Sequence, residues 1–257
     1  MPITFLNKNN SGNISLININ SRGNFSMSIK STAAPVVSAT LVLDLDAANY
    51  SALPVNGSTI AGTGAYTITM TNANASMAWN SNNGGVFTKS TGNTTDQLYS
   101  AGIDYSNSTQ QYTVFMAYKL SATAQGRLLN ANSATPDWLL GSYFSSLAYK
   151  NVFYPGGTVN LSSDAADTNW NFIWGTGNGS NLSQLYIATN TAPVAVYKTA
   201  AFVGGFNGIR LFGRFSNATT STEVQTADIG FVKVYNGVLT LTDIQNLHGF
   251  YKSRFGY

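Results

Sequence analysis

The chain has no cysteine and a single histidine, which excludes disulfide scaffolds, thiolate metal centres, cysteine nucleophiles and histidine-rich metal sites. It is also poor in charge. Asp, Glu, Lys and Arg make up 9% of the 257 residues, against roughly 25% in an ordinary soluble protein. Glu223 is the sole glutamate, so chemistry that needs paired glutamates is excluded too. No uninterrupted apolar run approaches the roughly 18 residues of a membrane-spanning helix. The start, Met-Pro-Ile-Thr-Phe-Leu-Asn-Lys, lacks the apolar core and small-residue cleavage site of a signal peptide. The net charge of +3 is carried by Lys8, Arg22 and Lys30, and the other 10 basic residues cancel 10 acidic ones. Such a body has no phosphate-neutralising patch, so neither nucleic acid nor membrane is an expected partner.

What the chain does have is neutral polarity and rings. With 29 Asn, 28 Thr and 27 Ser, about a third of it is uncharged and polar. Aromatics at 12% and apolar residues at 44% are enough to fill a core, which excludes wholesale disorder. Two textures follow one another. In residues 1–35, Asn10-Ser11-Gly12-Asn13-Ile14-Ser15-Leu16 returns eleven residues later as Ser21-Arg22-Gly23-Asn24-Phe25-Ser26-Met27. A Gly-Asn turn before alternating residues predicts a small meander over Ile3–Leu6, Asn13–Ile19 and Phe25–Ile29. Three short strands make a poor independent core, so this segment is expected to attach to a partner surface through Ile3, Phe5, Ile14, Leu16, Phe25 and Met27.

From residue 36 to 257, short runs rich in β-branched and aromatic residues alternate with Gly, Asn, Ser and Thr loops. Strands are predicted over Ala39–Asp46, Tyr66–Thr71, Tyr112–Leu120, Trp138–Tyr149, Asn171–Gly175, Gln184–Thr189, Gly208–Phe215 and Asp228–Tyr235. Many strands without intervening helices imply a sandwich or barrel. One helix is predicted at the end, where Thr240 or Thr242 caps it and Leu241, Ile244, Leu247 and Tyr251 recur at helical spacing. Gly249 should weaken its last turn.

Several of these segments resemble concanavalin A-like (laminin G/pentraxin-like) domains of tailed-phage and bacterial surface proteins. Leu41-Val42-Leu43-Asp44-Leu45-Asp46-Ala47-Ala48-Asn49-Tyr50-Ser51 is similar to that family's opening strand, an apolar run ending in Leu-Asp-Ala. Tyr112 to Leu120 resembles its central strand, with Tyr118 where Trp is usual, and Gly126-Arg127-Leu128-Leu129 follows at the family's interval. Thr168 to Trp174 resembles a further strand. Ile229 to Leu239, followed by Thr240-Leu241-Thr242-Asp243-Ile244, is similar to the closing strand and its capped helix. The resemblance implies an all-β, concanavalin A-like jelly-roll sandwich with a short N-terminal β-strand attachment segment and one C-terminal helix. It further implies a virion location: a capsid or tail appendage on the phage particle surface, partnered by other virion structural proteins and forming a homo-oligomer through its first strands.

The chemistry-bearing residues are few. Glycosidases of this superfamily use a Glu-x-Asp-x-x-Glu strand, which is absent, so no enzyme activity and no catalytic residue is expected. Asp44 and Asp46 share a strand face and form a candidate acid/base pair, the competing role being to bond loop backbone. His248 has no nucleophile elbow to serve and reads as a helix-end histidine. Domains of the resembled family often hold calcium; Gly92-Asn93-Thr94-Thr95-Asp96 looks like one of their turns, which makes Asp96 a candidate Ca²⁺ ligand, and Asp164 and Asp167 form another acidic pair. No other cofactor is expected. Aromatics that could stack on sugar rings are Trp138, Tyr143 and Tyr154, with Trp79 and Tyr149 behind them, while Trp170 and Trp174 read as core. A surface polysaccharide is therefore an expected accessory partner, and glycan adhesion is the alternative reading of the whole chain.

Overall fold

A computed structural model describes residues 3–8, 14–19, 25–29 and 34–257, apart from 65, 108, 123–125, 135–136, 144–149, 156–159, 166, 181, 200–203 and 218–219. The chain divides into two compact units, Met1–Val36 and Val37–Tyr257. The first contains an antiparallel sheet of Ile3–Lys8, Ile14–Ile19 and Phe25–Ile29, in that order. Its register aligns Ile3 with Ile19 and Phe25, and Phe5 with Ile17 and Met27.

The second unit is a jelly-roll β-sandwich, as the strand pattern and the resemblance imply. One antiparallel sheet runs Asn160–Ala165, Lys150–Pro155, Trp138–Tyr143, Leu129–Ala131, Asn207–Leu211, Gln97–Asp104, Thr67–Thr71. The other runs Val194–Thr199, Ser183–Ala188, Trp170–Asn178, Gln111–Leu120, Ala227–Asn236, Val86–Lys89, Met77–Asn80. Thr40–Asp46 pairs with the Phe231 to Asn236 part of the same Ala227–Asn236 strand. Between the sheets lies a core that includes Leu43, Leu45, Val114, Met116, Leu140, Phe153, Ile209 and Val232. A second core covers the outer face of the larger sheet, where Phe115, Phe172, Trp174 and Phe231 meet Ile244, Leu247 and Phe255 from the C-terminal segment. This explains the nearly unbroken apolar run from Tyr112 to Tyr118: a strand covered on both faces has no wet side to mark with polar residues.

The helix runs Leu241–Tyr251 under a Thr240/Asp243 capping box, so Thr240 and not Thr242 is the cap. It continues past Gly249 and tightens into a 3₁₀ turn, Lys252–Phe255. Of the expected strand Trp138–Tyr149 the structure shows Trp138–Tyr143, and residues 144–149 lie outside the described residues. The expected Gly208–Phe215 is broken at Phe212. There φ is +64°, and the Phe212 amide donates to the Leu128 carbonyl at 2.6 Å, so the chain turns instead of extending. Met77–Asn80, Val86–Lys89 and Gln97–Asp104 were not signalled, because their polar and small residues mimic loop composition.

Candidate functional site

The opening strand ends in a turn whose every residue has a structural task. Asp46 caps the 3₁₀ turn Ala47–Asn49 by accepting from the Ala48 amide at 2.9 Å. Ala47 is buried, and its carbonyl accepts from Trp79 Nε1 at 2.8 Å. A Cβ on Gly85 would come within 2.5 Å of that carbonyl, so only glycine lets the two backbones meet. The turn delivers Tyr50, whose ring packs on Phe87 with centroids 5.6 Å apart.

Behind the turn, the face shared by Asp44 and Asp46 carries an ionic network. Lys233 lies opposite Asp44 in the register and pairs with it, and its Nζ is 3.5 Å from Asp46. Arg254 binds Asp46 at 2.7 Å and also donates to the carbonyls of Asn83 and Gly85. Burial alone would push the Lys233 ammonium down. Asp44, Tyr251 and Asp46 override that and hold it above its ordinary value. The candidate acid/base pair is thus a clamp, in line with its competing structural role: Asp46 bonds loop backbone, and Asp44 is paired with Lys233.

The loop that follows folds back to enclose an open pocket of about 310 Å³, lined by Asn49, Tyr50, Ser51, Ala52, Leu53, Pro54, Val55 and Ser58. It is well anchored. The Asp44 amide donates to Ala61 O, Gly57 to Ile68 O, Ile68 to Ser58 O and Met70 to Asn56 Oδ1. Tyr50 and Leu53 pack on the inter-sheet core, whereas Val55 is 75% exposed at the rim. Ser58 Oγ is shielded from solvent and has no hydrogen-bond partner among the described residues. The pocket therefore joins an aromatic ring, an apolar wall and neutral hydroxyl and amide groups. All eight lie within residues 49–58, and sequence reasoning noticed only Asn49, Tyr50 and Ser51 among them, as part of the opening-strand motif.

Of the residues proposed for sugar stacking, Trp138 and Tyr154 lie on paired strands, and the register sets Trp138 beside Pro155 and Leu139 beside Tyr154. The two rings consequently point to opposite faces. Trp138 is fully buried against Tyr112, Phe153 and Phe206, and its Nε1 donates to Tyr112 Oη at 2.9 Å. Tyr154 is half-buried on the other face. The side chain of Tyr143 and the whole of Tyr149 lie outside the described residues. Trp170 and Trp174 are core, the first against Phe255 and the second stacked on Phe115.

Asp96 is likewise employed by the protein. Its carboxylate accepts from the amides of Asn74 and Ser76 and from Ser76 Oγ, at 2.9, 2.7 and 2.6 Å. Buried Lys89 donates to Ser76 Oγ and to the Asp96 carbonyl, and burial draws its ammonium down to about 8. Its carboxylate thereby pins the turn over Asn74 to Ser76. Asp167 accepts from Asn169 and Asn171 within its own loop, and the side chain of Asp164 is outside the described residues. His248 is a core histidine: it is buried edge-on to Phe172, and its Nε2 donates to the Thr189 carbonyl at 2.7 Å. Glu223 belongs to a second clamp, in which Arg127 binds Asp137 at 2.7 Å and Glu223 at 2.5 Å while Arg214 bridges the same two carboxylates. Among the described residues no three acidic or histidine side chains converge as a metal would require.

No protein-family model matches the chain, and no curated protein matches it. Solved structures do share its fold. Domain 4 of AbnA, a GH43 extracellular arabinanase from Geobacillus stearothermophilus in complex with arabinotriose, matches with a TM-score of 0.58 and 15% identity, over 81% of this chain and 98% of that one. The botulinum neurotoxin serotype D ligand binding domain in complex with N-acetylneuraminic acid matches at 0.55 and 12%, over 83% and 51%. A Trypanosoma rangeli sialidase mutant matches at 0.53 and 12%, over 99% and 45%. The chain thus spans about half the length of the neurotoxin and sialidase chains. At these identities the likeness is one of fold.

Proposed function

We propose that the Val37–Tyr257 unit is a non-catalytic glycan-binding module whose ligand rests against Tyr50. The observation that carries this reading is the anchored pocket, which sets one aromatic ring and an apolar wall beside Asn49, Ser51 and Ser58. A sugar presents the matching pair of surfaces, an apolar C–H face and a rim of hydroxyls. Two structures of the same fold support it by what they hold, arabinotriose and N-acetylneuraminic acid. The non-catalytic part is supported by the two carboxylate pairs. Lys233 and Arg254 clamp one, and Arg127 and Arg214 clamp the other. In calorimetric titration with the tightest oligosaccharide found on a glycan array, Tyr50→Ala should weaken binding about tenfold, equivalent to ~1.4 kcal/mol. Tyr50→Phe should stay within a few-fold, because the ring is kept. Undiminished binding by Tyr50→Ala would sink the assignment.

A second reading is favoured by the N-terminal unit, which forms a three-stranded antiparallel sheet of its own. In it, Met1–Val36 docks the module, as a homo-oligomer, onto other virion structural proteins and leaves the sandwich to display its pocket. A fragment covering residues 37–257 should then bind sugar as the full chain does and fail to join the particle. A fragment that still co-purifies with particles would exclude docking through the first strands.

A further inference from the structure

We propose, building on the glycan reading, that the Tyr50 pocket selects uncharged sugars and discriminates against acidic ones such as sialic and uronic acids. None of its eight lining residues carries a charge. Recognition of a sugar carboxylate calls for a charge-assisted donor, most effectively a forked arginine. The cations nearest the turn are already committed. Lys233 serves Asp44 and Asp46, and Arg254 serves Asp46 together with the carbonyls of Asn83, Gly85 and Gly230. Elsewhere, Arg127 and Arg214 are tied to Asp137 and Glu223, and Arg210 is fully buried between Tyr99 and Phe215, beyond the reach of a ligand. An acidic sugar would lose hydration for its carboxylate and meet only neutral hydroxyls and amides. A neutral sugar would keep the ring contact on Tyr50 without that cost.

The test uses the full chain and matched pairs of ligands, galacto-oligosaccharides against oligogalacturonides and lactose against sialyllactose, with Tyr50→Ala to locate the binding. At least tenfold preference for the neutral member of each pair, abolished by Tyr50→Ala, is the expected result. Asn49→Arg, which places a cation on the exposed lip, should narrow that preference several-fold by improving the acidic member. Equal or tighter binding of the acidic sugars that is still lost in Tyr50→Ala would overturn the selectivity and leave the pocket standing. Binding of neither class, or binding untouched by Tyr50→Ala, would overturn the pocket and the selectivity with it.

Discussion

Lys233→Met is expected to destabilise the sandwich by about 3–5 kcal/mol, the usual cost of removing one member of a buried ion pair. For a unit of this size that lowers Tm by roughly 6–20 °C. The Lys233 side chain is only 3% exposed, and it is the group that lets Asp44 and Asp46 share one strand face. Without it Asp44 loses its partner, while Asp46 keeps Arg254 and the Ala48 amide. Chemical denaturation of Asp44→Asn, Lys233→Met and the double variant should give non-additive losses, with a coupling above about 1 kcal/mol. A loss under about 1 kcal/mol with no coupling would mean that the clamp does not hold the opening strand to the closing one.

Trp138→Ala should cost about 3–5 kcal/mol, as large-to-small changes of buried aromatics do. The ring fills the space between Tyr112, Phe153 and Phe206, and its removal also strips Tyr112 Oη of an indole donor. Sugar affinity measured well below the melting point of the variant should match that of the parent. A variant of near-parental stability that has lost sugar binding would return Trp138 to the ligand surface.

The two outcomes bear on how far residues can be read without a fold. Trp138 follows Pro136 and Asp137, a local signature of a loop, and looked accessible for that reason. Its burial is set by pairing with Lys150–Pro155, whose register no nearby residue encodes. Asp44 and Asp46 were legible as neighbours on one face, since strand alternation is local. Lys233 and Arg254, which decide what those carboxylates do, lie some two hundred residues away in sequence. The partners of Asp96 and His248, Ser76 and the Thr189 carbonyl, are likewise brought to them by tertiary contacts.

By itself, the amino-acid sequence determined that the larger unit is all-β, a sandwich or a barrel, with one capped C-terminal helix. Those properties follow from residue alternation, turn chemistry and capping, each written within a few neighbouring positions. Tertiary structure alone decided which aromatics are core, which carboxylates are neutralised and where a pocket opens. Burial and charge pairing depend on what packs across the sheet. The Tyr50 pocket exists because the chain after Asp46 folds back along Thr67–Thr71, a contact that hydrogen bonds between Gly57 and Ile68 and between Asn56 and Met70 secure.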